Sequence, residues 1–166
     1  MTEQSSSAPA RLPIGDTLGF RLSRLMRFLR SSWAKTLEPL TLSPPEAAIL
    51  RAVGDQPGIG VRALARCLNF DPMNVKRSAD ALQARGMLLS TQSTIDSRSR
   101  ALTLSEEGAK LVSRVDELAS KQSDTIMSVM SDQARQGFLD AIASLEHLFV
   151  FCDRPMPTED VQTPNN

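Results

Sequence analysis

Residues 87–108 constrain the fold more than any other part of the chain. Two short runs of alternating character, residues 87–91 and 100–104, flank a polar stretch that includes Ile95-Asp96-Ser97-Arg98-Ser99-Arg100. Alternation with a period of two marks a half-buried strand, and a stretch rich in Ser and Asp between two such runs is a turn. Met87, Leu89, Ala101 or Leu102, and Leu104 are the expected half-buried positions. Leu104-Ser105-Glu106-Glu107-Gly108 then opens a helix: Ser105 is a capping residue, and two acids suit the positive end of the helix dipole. A two-stranded ribbon with a basic tip, feeding directly into a helix, leaves few architectures open.

What precedes the ribbon narrows them further. In Leu42-Ser43-Pro44-Pro45-Glu46, Ser43 is an N-cap, Pro44 takes the first helical position and Glu46 closes a capping box. That helix runs through Ile49, Leu50 and Val53 to Gly54, and residues 55–60 read as a loop. A second helix is expected over 61–69, with Val61, Leu64, Ala65 and Leu68 on one face. After a turn at 69–71, Asp71 caps a third helix over 72–85, which Gly86 ends. Two short helices across a brief turn form a helix–turn–helix, and the ribbon behind it makes a winged one. The expected fold is therefore mainly α with a small β wing.

The third helix divides its residues as a DNA-reading helix must. Val75, Ala79 and Leu82 share an apolar back, while Met73, Lys76, Arg77 and Asp80 lie on the front with Asn74 at its flank. Arg77 suits a bidentate contact to guanine, Asn74 a contact to adenine and Met73 a thymine methyl. On the ribbon, Arg98 and Arg100 supply positive charge for a minor groove, and Asp96 is spaced to orient the Arg98 guanidinium.

Charge supports this placement. The chain is neutral, with 19 Lys and Arg against 19 Asp and Glu. Residues 60–104 nevertheless hold seven basic against three acidic residues (+4), residues 105–166 five against eleven (−6), and residues 1–59 seven against five (+2). A polyanion such as double-stranded DNA would meet the middle segment.

Other classes find little in the sequence. There is one histidine, His147, and no nucleophile–base set or phosphate loop; no enzyme, cofactor or metal site is expected. Cys67 and Cys152 are too far apart to suggest a metal site or a disulfide framework. No apolar run approaches the ~18 residues of a membrane span, and residues 1–10 lack the apolar core of a signal peptide, so a cytoplasmic protein is expected.

The outer segments carry more apolar surface than a small winged domain can cover. Leu18, Leu22, Leu25, Met26, Leu29 and Trp33 recur at helical spacing beside the basic stripe Arg21, Arg24, Arg27 and Arg30, until Pro39 interrupts. Beyond Ser105, Leu111, Val115, Leu118, Ile126 and Val129 continue one helix. After Ser131-Asp132, Phe138, Ile142, Leu145, Phe149 and Cys152 mark another. A second copy of the chain is the natural cover, in a two-fold homodimer. The expected plan is a disordered lead (1–12), a dimerisation helix (13–40), the winged helix–turn–helix (41–104), dimerisation helices (105–152) and a disordered tail (153–166).

The Asp-x-Arg spacing at Asp96 and Arg98, with the Leu104-Ser105-x-x-Gly108 helix start, resembles the MarR family of transcription regulators over roughly residues 14–150. The resemblance implies a dimer whose two winged lobes grip an inverted-repeat operator, more often as a repressor than as an activator. It also implies a small aromatic or phenolic effector, for which Phe28 and Trp33 are the candidate contacts. Pro72, Met73 and Asn74 stand where the family often has Ser or Thr, and Gly60 replaces a common Ser or Thr cap. A peroxide-sensing branch uses a cysteine near the N-terminus with tyrosines; this chain has no Tyr, which leaves Cys67 beside Arg66 as the thiol to consider. Outside transcription, a winged helix that binds another protein is the alternative.

Overall fold

The computed structural model describes residues 12–92 and 100–153, with side chains described through residue 147. The chain divides into two compact units, residues 1–120 and 121–166. The lead and tail expected to be disordered lie outside the described residues, apart from Leu12 and the backbone of Asp153.

In the first unit a 3-10 turn (Ile14–Asp16) leads into α1 (Leu18–Leu37). A second 3-10 turn, Glu38–Leu40, places Pro39 just past the end of α1 and finishes at Thr41 in the left-handed conformation, φ 54°. The reversal delivers the chain to α2 (Pro44–Asp55), whose expected capping box is present. Ser43 N donates to Glu46 Oε2 at 2.8 Å, and Ser43 Oγ accepts from Glu46 N at 3.4 Å. Then come β1 (Ile59–Gly60), α3 (Val61–Leu68), α4 (Pro72–Ala84), β2 (Leu88–Gln92), β3 (Arg100–Leu104) and α5 (Glu106–Ser128).

Two left-handed residues make the tight turns around α3 and α4. At the end of α3, Asn69 (φ 50°) lets Phe70 N reach back to Ala65 O at 2.9 Å and Asn69 N to Arg66 O at 3.3 Å. After α4, Gly86 (φ 73°) does the same for Met87 N to Leu82 O and Gly86 N to Gln83 O, both 2.9 Å. Both pairs are the 6→1 and 5→2 bonds that close a helix with a left-handed residue, a role open chiefly to Gly and Asn.

The sheet is antiparallel in the order β1-β3-β2, with Ile59 opposite Leu102, Leu88 opposite Leu104 and Ser90 opposite Leu102. Two sequence expectations are corrected here. Residues 55–60 are not loop throughout, because Ile59 and Gly60 pair with β3. On β2 it is Leu88 that is buried, while Leu89 is 53% exposed. The register sets Leu88, Ser90, Leu102 and Leu104 on one face of the ribbon, and Leu89 therefore points away from it.

One core draws on the end of α1, the second 3-10 turn, α2, β1, α3, α4, β2, β3 and α5. Leu37, Ile49, Leu50, Val53, Leu64, Val75, Leu82, Leu102 and Val115 are the large side chains fully removed from solvent. Trp33, Met87, Leu104, Leu111 and Leu118 pack against them while half-buried. Arg51 on α2 pairs with Asp116 on α5 at 2.6 Å. At the start of α5, Lys110 bonds to Glu107 and Glu106, which holds its ammonium charged to higher pH than an ordinary lysine.

The second unit contains the last turns of α5 and α6 (Asp132–Asp153). Ser131 Oγ accepts from Ala134 N at 3.3 Å, capping α6. Arg135 reaches back to Met127 O at 3.3 Å and to Asp132 at 3.6 Å, so one guanidinium ties the α6 start to the carbonyl end of α5.

Candidate nucleic-acid interface

Helix α4 is set at both ends. At its start Asp71 Oδ1 accepts from Met73 N and Asn74 N, each at 3.0 Å, satisfying two of the free amides of the first turn. At its end Arg85 donates to Glu46 Oε1 at 3.1 Å and to Thr41 O at 2.9 Å. Glu46 is the capping-box acid of α2, and one carboxylate therefore serves both helices.

Between these anchors the helix is two-faced as the sequence implied. Val75, Ala79 and Leu82 are buried, and Met73 is 71% exposed. Asn74, Lys76, Arg77 and Asp80 are exposed as well. Two internal bonds organise the front: Lys76 Nζ meets Asp80 Oδ2 at 2.6 Å, and Arg77 Nη2 donates to Asn74 Oδ1 at 3.0 Å. Beside them a groove of about 390 Å³ opens between α2 and the start of α4, with Ile49, Phe70, Asn74, Val75, Arg77 and Ser78 among its walls.

The ribbon is fastened to the end of α4 through Ser105. Its hydroxyl donates to Gly86 O at 2.7 Å and accepts from Gly108 N at 2.9 Å, and its amide donates to Met87 O at 3.1 Å. The Ser-x-x-Gly start of α5 thus fixes the turn from which β2 departs. Arg100 is exposed at the end of the paired strands remote from α4, opposite Gln92. Asp96 and Arg98 lie outside the described residues.

The remaining candidates sit elsewhere. Phe28 is 68% exposed on α1, in a shallow groove with Leu18, Arg21, Leu22, Arg24 and Leu25. Trp33, five residues on, is half-buried against the core. Cys67 is an exposed free thiol on α3. Among the described residues no group of three or more His, Cys, Asp or Glu is placed to hold a metal ion, and no helix is long and apolar enough to cross a membrane. Sequence reasoning placed Glu46 in the α2 capping box but missed its link to Arg85, 39 residues away.

The model of the MarR family matches residues 42–99, from the residue before the α2 cap to the residue before β3. The chain carries a MarR-family domain. Solved structures extend the likeness of fold beyond that segment. A MarR transcriptional regulator from Methanosarcina mazei Go1 superposes with a TM-score of 0.74 at 21% identity, covering 81% of this chain and 97% of that one. The transcriptional repressor CouR bound to a 23-mer DNA duplex gives 0.73 at 25% identity, covering 82% and 99%. CouR from Rhodococcus jostii RHA1 bound to p-coumaroyl-CoA gives 0.71 at 23% identity, covering 81% and 95%. The winged helix–turn–helix fold of this chain, mostly helical with a small three-stranded antiparallel sheet, is that of these regulators.

Proposed function

We propose that this MarR-family chain acts as a homodimer that binds an inverted-repeat operator in double-stranded DNA and represses transcription until a small ligand releases it. The front of α4 carries the proposal: Met73, Asn74, Lys76 and Arg77 are exposed side by side on a helix whose back is buried. An α-helix of this width fits the major groove, and those side chains supply an apolar contact and donors for base edges. Arg98, oriented by Asp96, and Arg100 are proposed to follow the adjacent backbone and minor groove. CouR, which shares the fold, is itself described as a repressor and is seen on a DNA duplex.

The dimer is supported by apolar surface that each unit leaves open. Leu18, Leu22, Leu25 and Phe28 on α1 are 45–73% exposed, and Leu139, Ile142 and Leu145 on α6 are 36–47% exposed. Two such lobes would engage sites one helical turn apart, ~34 Å centre to centre. The effector is proposed to be a small, aromatic-bearing molecule, with Phe28 and Trp33 as its contacts; CouR is seen with p-coumaroyl-CoA.

The test is binding to the DNA upstream of this protein's own gene, followed by fluorescence anisotropy across a salt series. Wild type should bind with steep salt dependence. Arg77→Ala should lose about 1–3 kcal/mol and relax base preference, and Arg98→Ala should weaken all duplexes nearly alike. Binding that ignores salt and both substitutions would favour a protein partner instead.

A further inference from the structure

We infer that Asn74 and Arg77 act as one donor unit that selects a guanine in each half-site, and that Asn74 does not read adenine. The inference rests on the DNA-reading role of α4 proposed above.

An asparagine reads adenine by using both ends of its amide: Oδ1 accepts from the N6 amino group while Nδ2 donates to N7. Here Oδ1 is already the acceptor for Arg77 Nη2 at 3.0 Å. A carbonyl oxygen has a second lone pair, but any base edge that approaches it also meets the guanidinium beside it. Adenine would bring an amino donor against a cationic donor, both competing for one oxygen. Guanine presents only acceptors there, N7 and O6, and meets no such conflict. Arg77 can turn its remaining N–H groups to that edge while Asn74 Nδ2 donates to a neighbouring acceptor.

Two further observations make the pair a unit. Asn74 has its own backbone amide held by Asp71 at 3.0 Å, so the residue that positions the guanidinium is itself positioned by the helix cap. Lys76 is engaged with the Asp80 carboxylate at 2.6 Å, whereas Arg77 is bonded to a neutral amide and keeps its full charge for the base. Holding a long side chain near its bound conformation before DNA arrives lowers the ordering cost of binding.

The experiment is selection of sites from a randomised duplex pool, then anisotropy on the selected site with wild type, Asn74→Ala, Arg77→Ala and the double variant. One guanine per half-site should emerge, and replacing it with 7-deazaguanine, which lacks the N7 acceptor, should weaken wild type by about ten-fold or more. Asn74→Ala and Arg77→Ala should flatten preference at that same position, and the double variant should lose little beyond Arg77→Ala. An adenine position that disappears in Asn74→Ala, or losses that multiply independently, would overturn the pairing and leave the DNA-reading role intact. A wild type that selects no sequence above random would overturn both.

Discussion

The carbonyl oxygen of Met87 occupies space that any side chain at position 108 would need: a Cβ added to Gly108 falls 2.1 Å from it. The same carbonyl accepts from Ser105 N, and α5 therefore starts pressed against the turn that ends α4. Helix propensity alone would make Gly108→Ala stabilising by up to ~1 kcal/mol. The contact is with backbone, which cannot rotate away, and the substitution should instead destabilise by about 1–3 kcal/mol. Urea unfolding decides the sign; a raised midpoint would mean the approach is looser than described.

Arg85 should matter out of proportion to its place at the end of a helix. Its guanidinium joins Glu46 and Thr41 O, with Arg85 33% and Glu46 16% exposed at the side chain. An exposed ion pair is worth little, but this one is partly shielded and adds a backbone acceptor. Arg85→Met should cost about 1–2 kcal/mol of stability. Combined with Glu46→Gln in a double-mutant cycle, the two effects should couple rather than add. Full additivity would show that the pair acts as two separate surface residues.

Ser90 presents the opposite case, a polar group the fold does not use. Its hydroxyl is buried on the inner face of β2 without a hydrogen-bond partner, across from Leu102. An unsatisfied buried polar group is costly, and removing it should be neutral or favourable. Ser90→Ala should leave stability unchanged or raise it by about 1 kcal/mol in thermal unfolding. A clear loss would point to a water that the hydroxyl holds.

What could be read from the sequence was what neighbours along the chain decide. Ser43, Asp71 and Ser105 announce themselves because a cap and the amides it satisfies lie within three residues. The α4 back of Val75, Ala79 and Leu82 follows from helical spacing alone. β1 was illegible, since two residues show no period and its partner Leu102 lies over forty positions away. Alternation over 87–91 predicts Met87 and Leu89 inward, but Met87-Leu88-Leu89 is uniformly apolar and cannot fix the phase; pairing with β3 turns Leu88 inward instead. The spacing of Asn74 and Arg77 made a bond between them possible, but the choice of rotamer that makes it does not follow from spacing. The link from Arg85 to Glu46 depends on the whole path of the chain between them.

The apolar faces of α1 and α6 lead to the last prediction. Leu139, Ile142 and Leu145 recur every three residues along α6, and Ile142 is the least exposed of the three at 36%. Burying such a face stabilises by about 25 cal/mol for each Å² removed from water, and a few leucine-sized side chains per subunit supply several kcal/mol. Placing a carboxylate in the middle of that surface would require burying a charge with no partner, which costs more than the contact it replaces. Ile142→Asp should therefore shift sedimentation from dimer to monomer at micromolar concentration, while circular dichroism keeps its helical signal. Binding to a two-half-site duplex should fall steeply in the same variant, because a monomer engages one half-site only and loses the linked second contact. If Ile142→Asp stays dimeric, α6 is not the covered surface, and the corresponding substitution at Leu22 or Leu25 on α1 becomes the next test of where the two copies meet.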